Sequence, residues 1–226
     1  MLVINGKEVF NTIEELVNPK YTALLLIDIQ NDYVTPGGYF DKMGFSSALR
    51  EIVPNIKRVL EAARHSNVLV IHVQMTFYPD RMAESPAALR GRMLRIGYKS
   101  GDSAQKLLPY CIDGTWGWQI VDELAPLPNE IVIRKHRGSA FVGTDLDMLL
   151  RSNGISAVAI VGLVTHGCVI STTIDAQFFD YYPVILRDCI GSHKAPLHDA
   201  GLVIMSNSRD VVDSRQVLEV WDEGGP

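Results

Sequence analysis

Short runs of Leu, Ile and Val alternate along this chain with stretches in which apolar residues recur every three or four positions. This alternation is typical of parallel β-strands joined by crossover helices. The pattern predicts strands at 22–28, 68–74, 130–134, 156–162 and 183–187, and a weaker sixth strand near 209–212. We therefore expect an α/β fold, a three-layer sandwich with a central, mostly parallel six-stranded sheet in the middle.

Helical spacing predicts the elements that cover this sheet. Ser47 can cap a first helix, which ends near Asn67. Its buried positions are expected to be Ile52, Ile56, Val59, Leu60 and Ala63. Thr144–Asp147 resembles a capping box with Asp in the place of Glu, and Gly154 is suited to end the helix that follows. Three more helices are predicted at about 167–180, 197–206 and 214–222.

The segment 77–128 departs from this alternation. It is rich in Pro, Gly, Arg and Trp and has no clear periodicity. A loop of this length in a compact domain is usually functional or contacts a neighbouring subunit. We interpret it as a lid or an interface insertion within a single domain that spans residues 1–226.

Composition narrows the class of protein. A chain of 226 residues, 47% hydrophobic, suffices for one well-buried domain. The net charge of −5 and the lack of a dense Lys or Arg run argue against nucleic acid or an anionic membrane as partner. Cys111, Cys168 and Cys189 include no close pair, and the first residues lack the pattern of a signal peptide. We expect a soluble, cytoplasmic protein with no membrane span.

Polar residues follow three of the predicted strands. Asp28 ends the first strand, Lys135 follows the third, and Cys168 comes shortly after the fourth. In open parallel sheets the ligand crevice lies beyond the carboxyl ends of the strands, so these side chains should meet there. An acid, an amine and a thiol suit nucleophilic catalysis. A thiol in the first turn of a helix is also expected to be nearer to a thiolate than a free one.

Each of these residues alone has a plainer interpretation. A buried Cys is more often inert than catalytic, an Asp after a strand is often a cap or turn residue, and a Lys there is usually solvated. The sequences around them are more specific. They read Leu-Leu-Ile-Asp-Ile-Gln-Asn-Asp-Tyr at 25–33, Lys-His-Arg-Gly-Ser-Ala-Phe-Val-Gly-Thr-Asp-Leu at 135–146 and Gly-Leu-Val-Thr-His-Gly-Cys-Val at 162–169.

Together these motifs resemble the cysteine-hydrolase branch of the isochorismatase-like family, over about residues 20–190. The resemblance implies a Rossmann-like sheet that carries a catalytic triad of Asp28, Lys135 and Cys168. It also implies cleavage of amide-type C–N bonds through a thioester. True isochorismatases cleave a vinyl ether and lack the cysteine, so Cys168 favours the amidohydrolase branch.

The resemblance also places a cis peptide bond between Leu163 and Val164. There the N–H groups of Val164 and Cys168 would form an oxyanion hole for the tetrahedral intermediate. The alternative is an ordinary loop from strand to helix.

Two positions depart from the family pattern. Many members carry Asp or Asn where this chain has His166, which we expect to pack or face the ligand instead of taking part in acid–base chemistry. Zinc-binding nicotinamidases carry Asp-x-His after the second strand, whereas this chain has only His72, and a lone His on an apolar strand is usually a core residue. We therefore expect no metal and no cofactor.

The segment 31–39 most resembles the branches that act on ureido and carbamoyl compounds, such as ureidoacrylate, biuret and triuret hydrolases and N-carbamoylsarcosine amidase. Tyr33 can wall the pocket or be a packed aromatic, and Arg137 can clamp a substrate oxygen or be solvated. The substrate would be a small molecule, and the resemblance implies a homo-oligomer, a dimer or tetramer. The alternatives are a nicotinamidase-like or other amide hydrolase, and a non-catalytic interaction module on the same fold.

Overall fold

The computed structural model describes residues 1–95, 97 and 110–223. Its centre is a six-stranded sheet in which every neighbouring pair is parallel, in the spatial order β5-β4-β3-β6-β7-β8. The strands are β3 (Thr22–Ile27), β4 (Leu69–Met75), β5 (Ile131–Lys135), β6 (Ala157–Leu163), β7 (Tyr182–Gly191) and β8 (Asp210–Val212). The predicted α/β architecture is confirmed.

An N-terminal hairpin precedes the sheet, formed by β1 (Leu2–Ile4) and β2 (Lys7–Val9). The pattern did not predict it because these short strands are mostly exposed and lack a buried face. The helices are α1 (Ile13–Leu16), α2 (Asn31–Val34), α3 (Tyr39–Lys42), α4 (Ser46–Arg50), α5 (Val53–His65), α6 (Pro86–Arg95), α7 (Leu146–Ser152), α8 (Ile170–Phe178), α9 (Ala195–Ser206) and α10 (Ser214–Glu223).

Helices on both faces bury the sheet. Helices α5 and α10 pack together against it, and α8 and α9 form a second pair that contacts β7 and β8. All five residues that were predicted to form the buried stripe of α5 are buried. Trp221 of α10 is fully buried and donates its indole N–H to Val17 O at 2.7 Å. None of the described helices is both long enough and apolar enough to cross a membrane.

Predicted helix caps were less accurate than the helices themselves. Ser47 lies inside α4, and α5 begins after Ile52 without a side-chain cap, with Pro54 in its first turn, a position that proline favours. The predicted capping box at Thr144 is also wrong. Asp145 is the N-cap of α7, and Thr144 Oγ1 accepts a single hydrogen bond from the Leu146 N–H at 3.3 Å. Gly154 does adopt the predicted left-handed conformation, with φ +67°.

Strand β7 is longer than predicted. The polar pair Arg187-Asp188 favoured an end at 187, but the pairing with β6 shifts register near this point and the strand continues to Gly191. Asp188 is satisfied there, because it accepts hydrogen bonds from the Ser214 N–H at 2.8 Å and the Ser214 hydroxyl at 2.5 Å. A bulge thus accommodates polar residues within an otherwise buried strand.

The order in which strands are added to the sheet reverses between β3 and β6, which are neighbours in the sheet. β4 and β5 are added on one side of β3, whereas β6, β7 and β8 lie on the other. Where β6 ends, Gly162 has φ +122°, and a Cβ at this position would lie 2.1 Å from Ile27 O. Only glycine allows the two strands to approach so closely. The crevice that follows is where ligands bind in folds of this type.

His72 is a core residue, as its apolar strand predicted. It is 1% exposed, and its Nε2 lies 2.9 Å from Glu130 Oε2. Glu130 also accepts hydrogen bonds from Arg64 and from the Leu127 N–H. Burial favours the neutral acid, but the hydrogen bonds from Arg64, Leu127 and His72 outweigh it and lower the pKa of Glu130 to about 2. This carboxylate ties α5 to the segment before β5.

Glu130→Gln should destabilise the fold by about 2–3 kcal/mol at pH 7, because the lowered pKa measures how much the folded state favours the carboxylate. That contribution is present above the ordinary pKa of 4.5 and is lost as pH falls towards 2. The free energies of unfolding of the wild type and the variant, measured with urea, should therefore differ at pH 7 and converge near pH 2–3. Glu61→Gln, which removes an exposed carboxylate of α5, is the control. An equal difference at both pH values would contradict the assignment.

Candidate functional site

The three polar side chains that follow the strands meet at the carboxyl edge of the sheet. Lys135 Nζ lies 2.8 Å from Asp28 Oδ2 and 3.1 Å from Cys168 Sγ. The same ammonium donates to the Arg137 carbonyl at 3.1 Å. Asp28 and Lys135 are fully buried, and Cys168 is 8% exposed. Lys135 therefore joins the acid and the thiol within a site that is shielded from water.

The backbone at Asp28 has a conformation that L-residues rarely adopt, with φ +56°. Its N–H donates to Val73 O at 2.8 Å, and its carbonyl accepts from the Gln30 N–H at 3.0 Å. Gln30 fixes the turn further, because its amide bonds both the N–H and the carbonyl of Met75 at the end of β4. Strained backbone held in this way is typical of functional sites.

Burial and the neighbouring charges disfavour ionisation of the Cys168 thiol in the resting site. Burial raises the pKa of the Cys168 thiol to about 12, and the nearby Asp28 charge adds to this while Lys135 opposes it. Burial likewise raises the pKa of Asp28 above its usual value, against the Lys135 charge. For Lys135, burial favours the neutral amine, but the charges of Asp28 and Cys168 outweigh it and raise its pKa. At rest the thiol is therefore neutral and the amine is protonated.

This result corrects the expectation that Cys168 is nearer to a thiolate than a free cysteine. The helix-start argument treats the thiol as partly solvated, whereas it is buried beside a carboxylate. The helix also begins differently from the prediction of 167. A π-helical turn at Thr165–Val169 contains the cysteine, and α8 follows from Ile170.

The turn that carries Cys168 begins at a cis peptide bond between Leu163 and Val164. The Val164 carbonyl accepts hydrogen bonds from the N–H of Gly167 at 2.9 Å and of Val169 at 3.3 Å. Thr165 Oγ1 lies 2.8 Å from His198 Nδ1, which connects the turn to α9. Gly201 of α9 allows this contact, since a Cβ there would lie 3.1 Å from Thr165 Cγ2.

Rings cluster beside the three polar side chains, and we call them the aromatic group: Tyr33, Tyr39, Phe40, Phe77 and Tyr110. The Tyr33 ring stacks on Phe40 at 4.8 Å and meets Tyr110 edge-on at 5.7 Å. Phe77 and Tyr39 contact the other sides of Tyr110, at 5.2 and 5.0 Å. Burial raises the pKa of Tyr33, and the charges of Tyr110, Asp28 and Cys168 contribute, so this ring lies near the acid and the thiol.

Tyr33 thus lies close to the site, as its position after Asp28 suggested. Phe77, at the start of the insertion, was a candidate to close over the ligand or to bury a subunit interface. Tyr39, Phe40 and Tyr110 were missed, because they come from separate segments whose sequence pattern does not show that they meet. Tyr110 illustrates the difficulty, since it lies within the segment 77–128, and its neighbour Cys111 is held by a hydrogen bond from its N–H to Asp32 Oδ2 at 2.6 Å. Residues 96 and 98–109 of the predicted insertion lie outside the described part of the chain.

His166 lies in the same π-helical turn as Cys168. Its Nδ1 is 2.8 Å from the Ser192 hydroxyl, and its ring centroid is 5.5 Å from that of His193. Burial lowers the pKa of His166, and the positive charges of Lys194 and Arg95 add to this. Burial also lowers the pKa of His193 to about 4. Both rings are therefore neutral at neutral pH, and His193 extends the aromatic group through Phe40 at 5.6 Å.

Arg137 and Trp118 occupy the outer part of this region. The Arg137 side chain is exposed, and its Nη1 donates to Ala83 O at 3.1 Å and to His136 O at 2.7 Å. Trp118 is half-buried, donates to Thr76 Oγ1 at 2.9 Å and carries Arg134 over its ring. Within the described residues, no group of three or more His, Cys, Asp or Glu side chains is arranged to hold a metal ion.

Comparison with known proteins gives one consistent result. The isochorismatase domain matches residues 22–216. An isochorismatase family protein from Desulfovibrio vulgaris is 28% identical, with a TM-score of 0.72 over 90% of this chain and 97% of that one. An isochorismatase-like hydrolase from Alkaliphilus metalliredigens is 27% identical, with a TM-score of 0.69 over 89% and 99%. N-carbamoylsarcosine amidase from Thermoplasma acidophilum is 26% identical, with a TM-score of 0.67 over 86% and 96%.

Proposed function

Because this chain belongs to the isochorismatase family, we propose that it is a cysteine-dependent amidohydrolase with Asp28, Lys135 and Cys168 as its catalytic triad. It cleaves a C–N bond of a small ureido, carbamoyl or amide substrate and releases ammonia or an amine. The observation that carries the proposal is the buried contact of Lys135 with both the Asp28 carboxylate and the Cys168 thiol. The similarity to an N-carbamoylsarcosine amidase supports the substrate class.

Catalysis begins with a neutral thiol and a carboxylate, both of which contact the Lys135 ammonium. Substrate binding brings the carbonyl carbon to Cys168, and Asp28 takes the thiol proton as the sulfur attacks. The Lys135 ammonium stabilises the negative charge as it moves between oxygen and sulfur. Proton transfer in step with attack avoids a free buried thiolate, which the raised pKa of the thiol disfavours.

The second half of the reaction reverses these roles. The tetrahedral intermediate collapses, the C–N bond breaks, and Asp28 returns its proton to the departing nitrogen, which leaves a thioester on Cys168. Asp28 then removes a proton from water, the hydroxide attacks the thioester, and the acid product leaves as Cys168 regains a proton. One carboxylate acts as base and acid in both halves, so its ionisation controls the whole cycle.

The N–H groups of Val164 and Cys168 are the proposed oxyanion hole. Both belong to the turn between β6 and α8, so the nucleophile and its donors come from one short segment. Donors aimed at the developing oxyanion are typically worth about 3–4 kcal/mol each. Tyr33 is the proposed wall of the pocket. Arg137 as a substrate clamp, the homo-oligomer and the cytoplasmic location stay predictions.

Ammonia release from a panel of ureas, N-carbamoyl amino acids and nicotinamide tests the function. We expect turnover of carbamoyl or ureido compounds that exceeds turnover of nicotinamide. Preference for nicotinamide would favour a nicotinamidase-like enzyme instead. No release from any member, together with no protection of Cys168 from alkylation by any of them, would favour a non-catalytic module.

The pH dependence of kcat/KM should have an acid limb and a long alkaline plateau. Asp28 must be ionised to take the thiol proton, so activity is lost as pH falls through its pKa, which lies above the usual 3.8. Lys135 must be protonated, and its pKa lies above the usual 10.5, so the plateau should extend to about pH 10. Initial rates from pH 4 to 10.5 measure this, with circular dichroism at each pH as control. A decline between pH 7 and 9 would contradict the proposed protonation states.

A further inference from the structure

Helix α6 is tied near both of its ends to segments that carry residues of the site. Before its first turn, Ala83 O accepts a hydrogen bond from Arg137, whose own carbonyl accepts from Lys135 Nζ. At its other end, Arg95 O accepts from Lys194 Nζ at 3.2 Å. Lys194 is linked through Ser192 to His166, two residues before Cys168. Helix α6 therefore lies next to the site, and Arg92 is its buried side chain.

Arg92 is the buried cation of α6, with 2% of its surface exposed. Its Nη2 lies 2.9 Å from Glu84 Oε1, which gives the charge one partner. None of its three nitrogens is in hydrogen-bonding geometry with a described residue. A buried guanidinium with unused donors is costly unless a ligand supplies acceptors, and a planar fork of donors matches a carboxylate.

The Arg92 guanidinium is also connected to the site through rings. Its Cζ lies 5.7 Å from the centroid of Phe77, and Phe77 contacts Tyr110 at 5.2 Å. Tyr110 in turn contacts Tyr33, whose ring lies near the acid and the thiol. Burial raises the pKa of Tyr39 and the Arg92 charge opposes it, which places this cation close to the aromatic group.

We propose that Arg92 is a specificity-determining residue, which binds a carboxylate of the substrate while the C–N bond lies at Cys168. The preferred substrates are then ureido or carbamoyl acids, in which a flat chain between the two groups lies against the aromatic group. This inference rests on the amidohydrolase function proposed above. Arg137 is the weaker candidate for the same task, because its guanidinium is exposed and already bonded to two carbonyls.

Matched substrates and matched variants test the proposal. N-carbamoylglycine and its carboxamide share the bond to be cleaved and differ in the carboxylate. The wild-type enzyme should prefer the acid. Arg92→Met should lower kcat/KM for the acid about 100-fold, mainly through KM, and should change kcat/KM for the carboxamide less than about threefold. Arg92→Lys keeps the charge without the fork and should give an intermediate loss.

Arg90→Met removes the same charge from an exposed position of α6 and should leave both substrates unaffected. Melting temperatures of all variants show whether α6 still packs, and Arg92→Lys keeps the test valid if Arg92→Met unfolds. An equal loss on acid and carboxamide, or no loss on either, would overturn the role of Arg92 while leaving the proposed function intact. If the wild type cleaves neither compound nor any other member of the panel, the proposed function itself has failed, and the role of Arg92 with it.

Discussion

Replacing Cys168 by alanine or serine is expected to lower kcat/KM by at least about 10⁴-fold, because removal of a covalent nucleophile leaves only binding and the oxyanion donors. The fold should survive. The cysteine is small and almost fully buried, and its loss removes one hydrogen-bond partner of Lys135, whose ammonium keeps Asp28 and the Arg137 carbonyl. Steady-state assays on the best substrate of the panel, with circular dichroism spectra of each variant, measure both properties.

Cys189→Ala is the matched control for this experiment. Cys189 is also buried but lies on β7 away from the proposed triad, and burial raises the pKa of its thiol in the same way. We expect its substitution to leave kcat/KM within about threefold of the wild type. Substantial turnover by either Cys168 variant would refute the assignment of the nucleophile. The alternative mechanism would then be hydrolysis by a water molecule that Asp28 activates directly.

Lys135→Met is expected to remove activity and to destabilise the fold by about 3–5 kcal/mol, because it leaves the Asp28 carboxylate buried without a counter-charge. Asp28 would respond with a pKa raised further above 3.8. A group with a raised pKa in the folded state favours folding when it is protonated, so the variant should lose stability as pH rises from 5 to 8. Urea unfolding at both pH values measures the effect, with the wild type as reference.

The double variant Asp28→Asn/Lys135→Met separates stability from catalysis. It removes both buried charges, so it should recover most of the lost stability and no longer depend on pH between 5 and 8. It should remain inactive, because the general base and the ammonium are both gone. A Lys135→Met protein as stable as the wild type at pH 8 would show that the pair is not buried as described.

The amino-acid sequence was sufficient for the elements that local physics controls. The short runs of Leu, Ile and Val at β3, β4, β5 and β6, each separated from the next by a helical or irregular stretch, predicted parallel strands, and the structure confirms strands there. The apolar stripe of α5 was predictable from the sequence because its helical spacing is also a local pattern. Since parallel strands share one edge for their carboxyl ends, the residues that end them, Asp28 and Lys135, were predicted to lie at one site. Their contact at 2.8 Å is a consequence of that topology.

Features that depend on distant partners required the tertiary structure. The predicted caps at Ser47 and Thr144 were wrong, because Ser47 lies inside α4 and the Thr144 hydroxyl donates to Ala140 O before α7 begins. The Cys168 thiol is neutral because of its burial beside Asp28, and burial is decided by the whole fold.

The aromatic group and Arg92 could not be predicted from the sequence either, because they depend on contacts between distant segments. Phe40, Phe77 and Tyr110 are far apart in the chain, and no local period marks them as neighbours. Arg92 lies in a segment whose sequence predicted only an insertion, yet its guanidinium is 2% exposed and in contact with Phe77. The sequence by itself determined the sheet and which residues end its strands, because period and polarity are local. Only the tertiary structure decided the charge state of the thiol and the surroundings of the site, because both depend on contacts between distant segments.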